Sequence, residues 1–206
     1  MNFRERVRRL HLRAVVFFVL ICVGVLITVS ACTAHTSTAI GHSYTLDTAD
    51  EYVSRDDDGD IKNVLVDVIA SVNNQGEREK RIAQAIEKSD ITAQFRHASS
   101  GAEQITQTKN AIDAYATLVI IPADAVQHPT EWEDVLSYAR SRGVAIIISS
   151  STGLQYAQLS LNPMYFAAYW DVNGGVEQDN TSAFDVIMTV VEDRPHDTIF
   201  SSTLEG

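Results

Sequence analysis

Polar side chains gather at four places where an apolar run of this sequence ends, at residues 73–76, 99–101, 123–129 and 149–153. These short stretches offer amides, hydroxyls and one carboxylate, that of Asp124. Side chains of this kind form directional hydrogen bonds with a polar ligand. The stretches hold no obvious pair of a nucleophile and a base. The residues therefore favour binding of a polar small molecule over catalysis.

The known catalytic signatures are missing from the sequence. It has neither of the glycine patterns that bind nucleotides and no G-x-S-x-G elbow. A hydrolase that uses one of the serines 149–151 is a weak alternative, because no histidine and aspartate partners are assured. The acidic run 56–60 fails the calcium-loop pattern, and the histidines His97, His128 and His196 are widely spaced. We predict no enzyme, no cofactor and no metal site.

From residue 61 onwards, apolar runs alternate with amphipathic segments. Short β-branched runs predict strands, and segments with helical periodicity predict the helices between them. The predicted strands are residues 63–72, 91–98, 116–122 and 143–150, and the predicted helices are residues 76–89, 100–115 and 131–142.

Capping residues predict where these helices begin. Asn74 is the expected N-cap of the first helix. Ser100 and Glu103 have the spacing of a capping box, and so do Thr130 and Glu133.

The predicted strands are almost continuously apolar, which is typical of strands that are buried on both faces. Such strands, joined by helices, predict an α/β fold with a three-layer, doubly wound parallel sheet. In this fold ligands bind beyond the carboxyl ends of the strands. The four polar stretches follow the four predicted strands, so they should lie together at that edge.

A few residues depart from this simple pattern. Asp67 lies inside the first predicted strand, where an apolar residue is expected, and the sequence names no partner for it. We expect Trp132 to pack in the core. Tyr169 and Trp170 are either buried or available to stack on a sugar ring.

The amino terminus resembles an export signal. A basic head precedes residues 14–34, which carry no charge, and the sequence Val-Ser-Ala-Cys that ends at Cys32 resembles a bacterial lipobox. We predict a signal peptide over residues 1–31, acylation of Cys32 and a polar, flexible tether over residues 32–60. An uncut transmembrane anchor is the alternative. Both place the remaining chain outside the cytoplasm, anchored to the cell membrane.

The net charge and the cysteine content limit which binding partners and which disulfide bonds we expect. The formal net charge is −11, which repels phosphates and argues against nucleic acid as a partner. The chain has two cysteines, Cys22 and Cys32, and both lie in the apolar amino-terminal run. The exported domain therefore has no disulfide and must be held by its core.

The order and spacing of these motifs resemble the ribose-binding type of periplasmic binding protein. The similarity extends over residues 63–150 and includes the paired asparagines, the I-P-A-D-A loop and the R-S-R-G-V-A-I-I-I-S segment. Residues 169–206 resemble the crossing to a second lobe. The resemblance implies a first lobe over residues 61–165 and a hinge crossing with an incomplete second lobe over residues 166–206.

Proteins of this family capture sugars for ABC importers. The resemblance therefore implies a sugar ligand, an importer permease as partner and attachment to the bilayer through acylated Cys32. By position, it also implies a set of ligand-binding residues: Asn73, Asn74, Gln75, Asp124, Ser150, Asp179 and Asn180. The alternative is that Asn73 and Asn74 only cap a helix and that Asp124 only forms an Asx turn.

Two departures from the family pattern bear on specificity. Serines occupy residues 149–151, where family members often carry a charged pair. The sequence ends at Gly206, so we expect a single lobe to bind sugar weakly, at best with millimolar affinity. Residues 198–206 should add to the sheet edge, lie over it or pair with another chain. A cell-surface interaction module without a transport role is the alternative function.

Overall fold

The structure, a computed structural model, describes residues 64–73, 75–150, 159–172, 181–202 and 204. All of them belong to one compact unit. Within these residues, six strands form one parallel sheet in the order β2-β1-β3-β4-β5-β6. The strands are β1 (Leu65–Ile69), β2 (Thr92–Arg96), β3 (Leu118–Pro122), β4 (Ala145–Ser150), β5 (Ala168–Asp171) and β6 (Ile199–Ser201).

Helices cover both faces of this sheet. The α-helices in the described part of the chain are α1 (Glu77–Glu87), α2 (Gly101–Asp113), α3 (Pro129–Arg142) and α4 (Ala183–Val191). Short 3-10 helices span Ala125–Gln127 and Pro163–Tyr165. Helices α1 and α4 share one hydrophobic core with the sheet, and α2 and α3 share the other. The predicted three-layer, doubly wound α/β fold is confirmed.

The central strands form the sheet because both of their faces are buried. Every residue of β3 and β4 is buried, and successive side chains enter opposite cores. Val119 and Ile121 pack under α2 and α3, whereas Leu118 and Ile120 pack under α1 and α4. Burial of one such side chain contributes about 1.5–3 kcal/mol. Trp132 is buried in the core under α2 and α3, as predicted.

The observed helix starts correct two of the three predicted caps. Helix α1 has Gly76 as its N-cap, without a side-chain hydrogen bond, rather than Asn74. Helix α3 begins at Pro129, because proline suits the first turn, where its missing N–H costs no hydrogen bond. The predicted cap at Ser100 is confirmed, since its side chain accepts the N–H of Glu103. The Glu103 carboxylate, however, accepts from the backbone and side chain of Ser99 rather than closing a capping box.

The turn from β1 to α1 requires a glycine at position 76. Gly76 has φ of 75°, and the preceding Gln75 has φ of 56°. A Cβ atom at position 76 would lie 2.8 Å from Ala70 Cβ and from Phe95 Cζ. Only glycine adopts this conformation without strain and leaves room for both neighbours. The turn therefore fixes where α1 starts over the sheet.

The polar residue inside β1 has a partner on the neighbouring strand. Arg96 Nε donates to Asp67 Oδ1 at 2.5 Å, and an Arg96 terminal nitrogen lies 3.3 Å from Asp67 Oδ2. In the parallel register Arg96 lies beside Ile69. Asp67 is two residues before Ile69 on β1, so the side chains of Asp67 and Arg96 lie on the same face of the sheet. This ion pair explains how Asp67 is tolerated while fully buried.

Residues 166–206, predicted as a hinge crossing and an incomplete second lobe, include β5, α4 and β6, and both strands belong to the same sheet. β6 pairs with β5 at the sheet edge, which is one of the three placements expected for residues 198–206. Helix α4 buries Val186, Ile187 and Val190 against the core under α1. Trp170 is fully buried, and its indole N–H donates to Ser202 Oγ at 2.7 Å, so it is not exposed for stacking on a sugar. Burial of these apolar side chains holds the segment in place.

Cys32 and the predicted signal and tether, residues 1–31 and 32–60, lie outside the described residues. Across the part of the chain that is described, no helix combines the length and apolar character needed to cross a bilayer.

Candidate functional site

The candidate site lies at the carboxyl ends of β1 and β3. These two strands are neighbours in the sheet, and the chain continues from β1 to β2 on one side and returns to β3 on the other. Such a reversal of strand order leaves a crevice between the connections, which is where ligands bind in open α/β sheets. The polar side chains that follow β1 and β3 therefore converge on the expected place.

Asp124 follows β3 and is held by two donors that follow β1. Its Oδ2 accepts from Ser71 Oγ at 2.5 Å and from the Asn73 side-chain amide at 2.7 Å. Ser71 Oγ also accepts the backbone N–H of Asn73 at 3.2 Å, so the three residues form one network. These bonds fix the orientation of the carboxylate through Oδ2, and its other oxygen, Oδ1, takes no part in them.

This network replaces the local roles that the sequence left open. The Asp124 side chain makes no capping hydrogen bond to the 3-10 helix that follows it, so it does not form the expected alternative of an Asx turn. Asn73 does not cap α1, which has Gly76 in that position. The two side chains are instead hydrogen-bonded to each other across 51 residues of sequence.

The first turn of α1 brings two further charges to Asp124. Arg78 Nε donates to Glu79 Oε1 at 2.7 Å, and an Arg78 terminal nitrogen lies 2.5 Å from the same oxygen. That terminal nitrogen is also 3.9 Å from Asp124 Oδ1. One guanidinium therefore lies between two carboxylates. We call Ser71, Asn73, Arg78, Glu79 and Asp124 the edge cluster.

Two carboxylate oxygens of the edge cluster are buried and accept no hydrogen bond from the residues that the structure describes. They are Asp124 Oδ1 and Glu79 Oε2. Ser149 Oγ, at the end of β4, is buried and unpaired in the same way. A buried polar atom without a partner costs about 1–3 kcal/mol. These atoms are accordingly suited to receive the hydrogen-bonding groups of a ligand.

The structure brings two of the predicted ligand-binding residues together, Asn73 and Asp124. Gln75 is exposed in the turn before α1 and does not join the cluster. Ser150 is fully buried as the last residue of β4, and the unpaired hydroxyl belongs to its neighbour Ser149. The other predicted residues lie outside the described part of the chain: Asn74, Asp179 and Asn180.

Sequence reasoning missed Ser71, Arg78 and Glu79. For Glu79 a usable signal exists, because it shares the i, i+3, i+4, i+7 spacing of Ile82, Ala83 and Ile86, which are the buried face of α1. An acid on the apolar face of a helix is expected to have a buried partner. The roles of Ser71 and Arg78 depend on how the turn is folded.

The described residues contain no group of three or more histidine, cysteine, aspartate or glutamate side chains arranged to hold a metal ion. His97 and His128 are exposed on separate connections, and His196 stacks against Phe200 with ring centroids 5.0 Å apart.

Comparison of the chain with models of known protein families, with curated proteins and with solved structures gave no match in any of the three.

Proposed function

We propose that this protein is a lipid-anchored, extracytoplasmic solute-binding protein of a carbohydrate ABC importer, which captures a sugar at the edge cluster. The observation that supports this proposal is the Asp124 carboxylate. Its Oδ2 is held by Ser71 and Asn73, while its Oδ1 is buried and has no hydrogen-bond donor among the described residues. A fixed carboxylate with one oxygen that accepts no hydrogen bond from the described residues is a preorganised acceptor for a ligand hydroxyl.

Sugars suit this arrangement because each hydroxyl both donates and accepts. Asp124 Oδ1 and Glu79 Oε2 accept hydrogen bonds, and the Ser149 hydroxyl does either. Hydrogen bonds to ionised groups contribute about 1.5–3 kcal/mol, roughly twice as much as bonds between neutral groups. In this proposal the permease is the protein partner, and acylated Cys32 provides the attachment to the bilayer.

Ligand-induced stabilisation tests sugar binding. Trp132 and Trp170 are both buried, so their fluorescence reports unfolding of the full chain in detergent. We expect at least one monosaccharide, added at millimolar concentrations, to raise the melting temperature through preferential binding to the folded state. The variant Asp124→Asn keeps an oxygen for Ser71 and Asn73 but removes the open acceptor. We expect it to weaken sugar affinity at least tenfold.

Glu87→Gln is the matched control, because it removes the same charge from the exposed, opposite end of α1. Equal sugar affinity of the wild type and Asp124→Asn would contradict the proposed site. Failure of every sugar to stabilise the chain would contradict the function. Mass spectrometry of the exported protein tests the anchor separately, since an intact residue 1–31 segment without an acyl group on Cys32 would remove it.

A further inference from the structure

The edge cluster contains more negative than positive charge among the described residues. Asp124 and Glu79 supply two carboxylates, and one guanidinium, that of Arg78, lies between them. Glu79 is fully buried, and the side chains of Arg78 and Asp124 are only 12% and 19% exposed. A carboxylate that is withdrawn from water is costly unless positive charge or hydrogen-bond donors compensate it.

The unsatisfied atoms of the cluster also have one chemical character. The two carboxylate oxygens that make no hydrogen bond with described residues, Asp124 Oδ1 and Glu79 Oε2, can accept hydrogen bonds but cannot donate them. A ligand must therefore donate at both positions. Donors that carry positive charge form the stronger bonds with carboxylates.

The unpaired hydroxyl of Ser149 lies on the same side of the sheet as Glu79. Side chains alternate along a strand, so Ser149 faces the same way as Ile147, which belongs to the core under α1 and α4. In the register, Ser149 lies beside Trp170 of the same core. Glu79 is buried on the inner face of α1 beside Ile82 and Ile86. This fully buried hydroxyl is a second, independent sign that a polar ligand group belongs on this side of the sheet, at the end of β4, the strand next to β3.

We infer that the ligand of the edge cluster is an amino sugar, with its ammonium group directed at Asp124 and Glu79 and a ring hydroxyl near Ser149. This inference rests on the proposed function and specifies the substrate class of the same site. The ammonium group supplies three donors and the positive charge that balances the second carboxylate. A neutral hexose supplies donors without the charge.

Three closely related probes separate these contributions. D-glucosamine carries the ammonium group, N-acetyl-D-glucosamine has a neutral amide in its place, and D-glucose has a hydroxyl. Affinities of the full chain in detergent are obtained from the rise in melting temperature at matched ionic strength. We expect D-glucosamine to bind at least tenfold more tightly than either neutral sugar. We expect Asp124→Asn to remove this preference and Glu87→Gln to retain it.

Each other outcome overturns the inference in a distinct way. Equal affinity for D-glucose and D-glucosamine would overturn the amino-sugar assignment and leave the proposed function standing. No stabilisation by any sugar would overturn both. Equal stabilisation by methylammonium or calcium chloride, compared with D-glucosamine, would show that the cluster binds a simple cation without recognising a sugar ring. Because Glu79→Gln alters a fully buried residue and risks misfolding, Asp124→Asn is the deciding variant.

Discussion

The molecule contains two groupings of acid and arginine that differ in how completely they are paired. In the first, both carboxylate oxygens of Asp67 contact Arg96, at 2.5 and 3.3 Å. In the edge cluster, Arg78 is shared between Glu79 and Asp124, and one oxygen of each acid has no hydrogen-bond donor in the described part of the chain. The first grouping is complete within the chain, so it serves stability. The second is incomplete, which is the property that a binding site needs.

The largest expected effect separates the two groupings by stability. Asp67→Asn should lower the free energy of unfolding by about 3 kcal/mol, the lower end of the range for breaking a buried ion pair, because Arg96 keeps 19% of its side chain exposed. Asp124→Asn should cost less, about 1 kcal/mol, because it keeps an acceptor for both donors and gives up only a contact of 3.9 Å with Arg78. Urea unfolding of the two variants measures the difference.

Replacing the Asp67–Arg96 pair with leucine and methionine provides the control for this prediction. A hydrophobic pair of similar volume should recover most of the lost stability, since both buried charges are then removed together. Equal destabilisation by Asp67→Asn and Asp124→Asn would show that the edge cluster contributes as much to stability as the Asp67–Arg96 pair. That result would remove the basis of the comparison.

The next effect concerns the turn that carries Arg78 and Glu79 to the edge cluster. Gly76→Ala should lower the free energy of unfolding by about 2 kcal/mol, because a left-handed conformation costs a side chain about 1–2 kcal/mol and the new Cβ meets Ala70 and Phe95. The matched control is Gly101→Ala, at the start of α2, where a Cβ meets nothing within 4 Å. Thermal unfolding should show little change or a slight gain for Gly101→Ala. Equal losses in both variants would mean that the Gly76 turn is not specifically required.

The sequence predicts the fold well because burial dictates it. Strands such as β3 are apolar throughout, and the helices between them have one apolar face, so a parallel sheet covered on both sides is the one arrangement that buries all of them. The stretches that hold Asn73 and Asp124 were expected to meet because each follows a strand and parallel strands end at one edge, whereas the choice of these two residues came from the resemblance. The crossing over residues 166–206 was predicted from the resemblance, which did not indicate that the apolar side of α4 packs in the same core as α1.

The pairing of charges could not be read from the sequence in the same way. Asp67 and Arg96 meet because the register places Ile69 beside Arg96, and register is a property of the assembled sheet. The position of Arg78 between two acids depends on the left-handed turn at Gly76. Single residues of these contacts were visible in the sequence, but their partners lie tens of residues away or depend on backbone angles that sequence pattern does not specify.

The smallest effect uses a third acid, Glu103, whose carboxylate lies near the surface and accepts two hydrogen bonds from Ser99 at Oε2. The Ser99 hydroxyl, and then the Ser99 backbone N–H, lower the pKa of Glu103 below its ordinary value of 4.5. Because the pKa is lowered by folding, the contribution to stability is present above the unfolded-state pKa and is lost as the pH falls through the folded-state pKa.

Ser99→Ala removes the hydroxyl, so its small destabilisation at neutral pH should shrink on acidification to about pH 3. Urea unfolding across this range measures it, with Ser141→Ala, whose hydroxyl donates to the Tyr138 carbonyl, as the pH-independent control. A destabilisation by Ser99→Ala that stays constant with pH would show that Ser99 does not act through the ionised carboxylate. Hydrogen bonding to an ionised carboxylate would then not explain how an acid in this protein is stabilised. The contrast between the Asp67–Arg96 pair and the edge cluster would lose its physical basis.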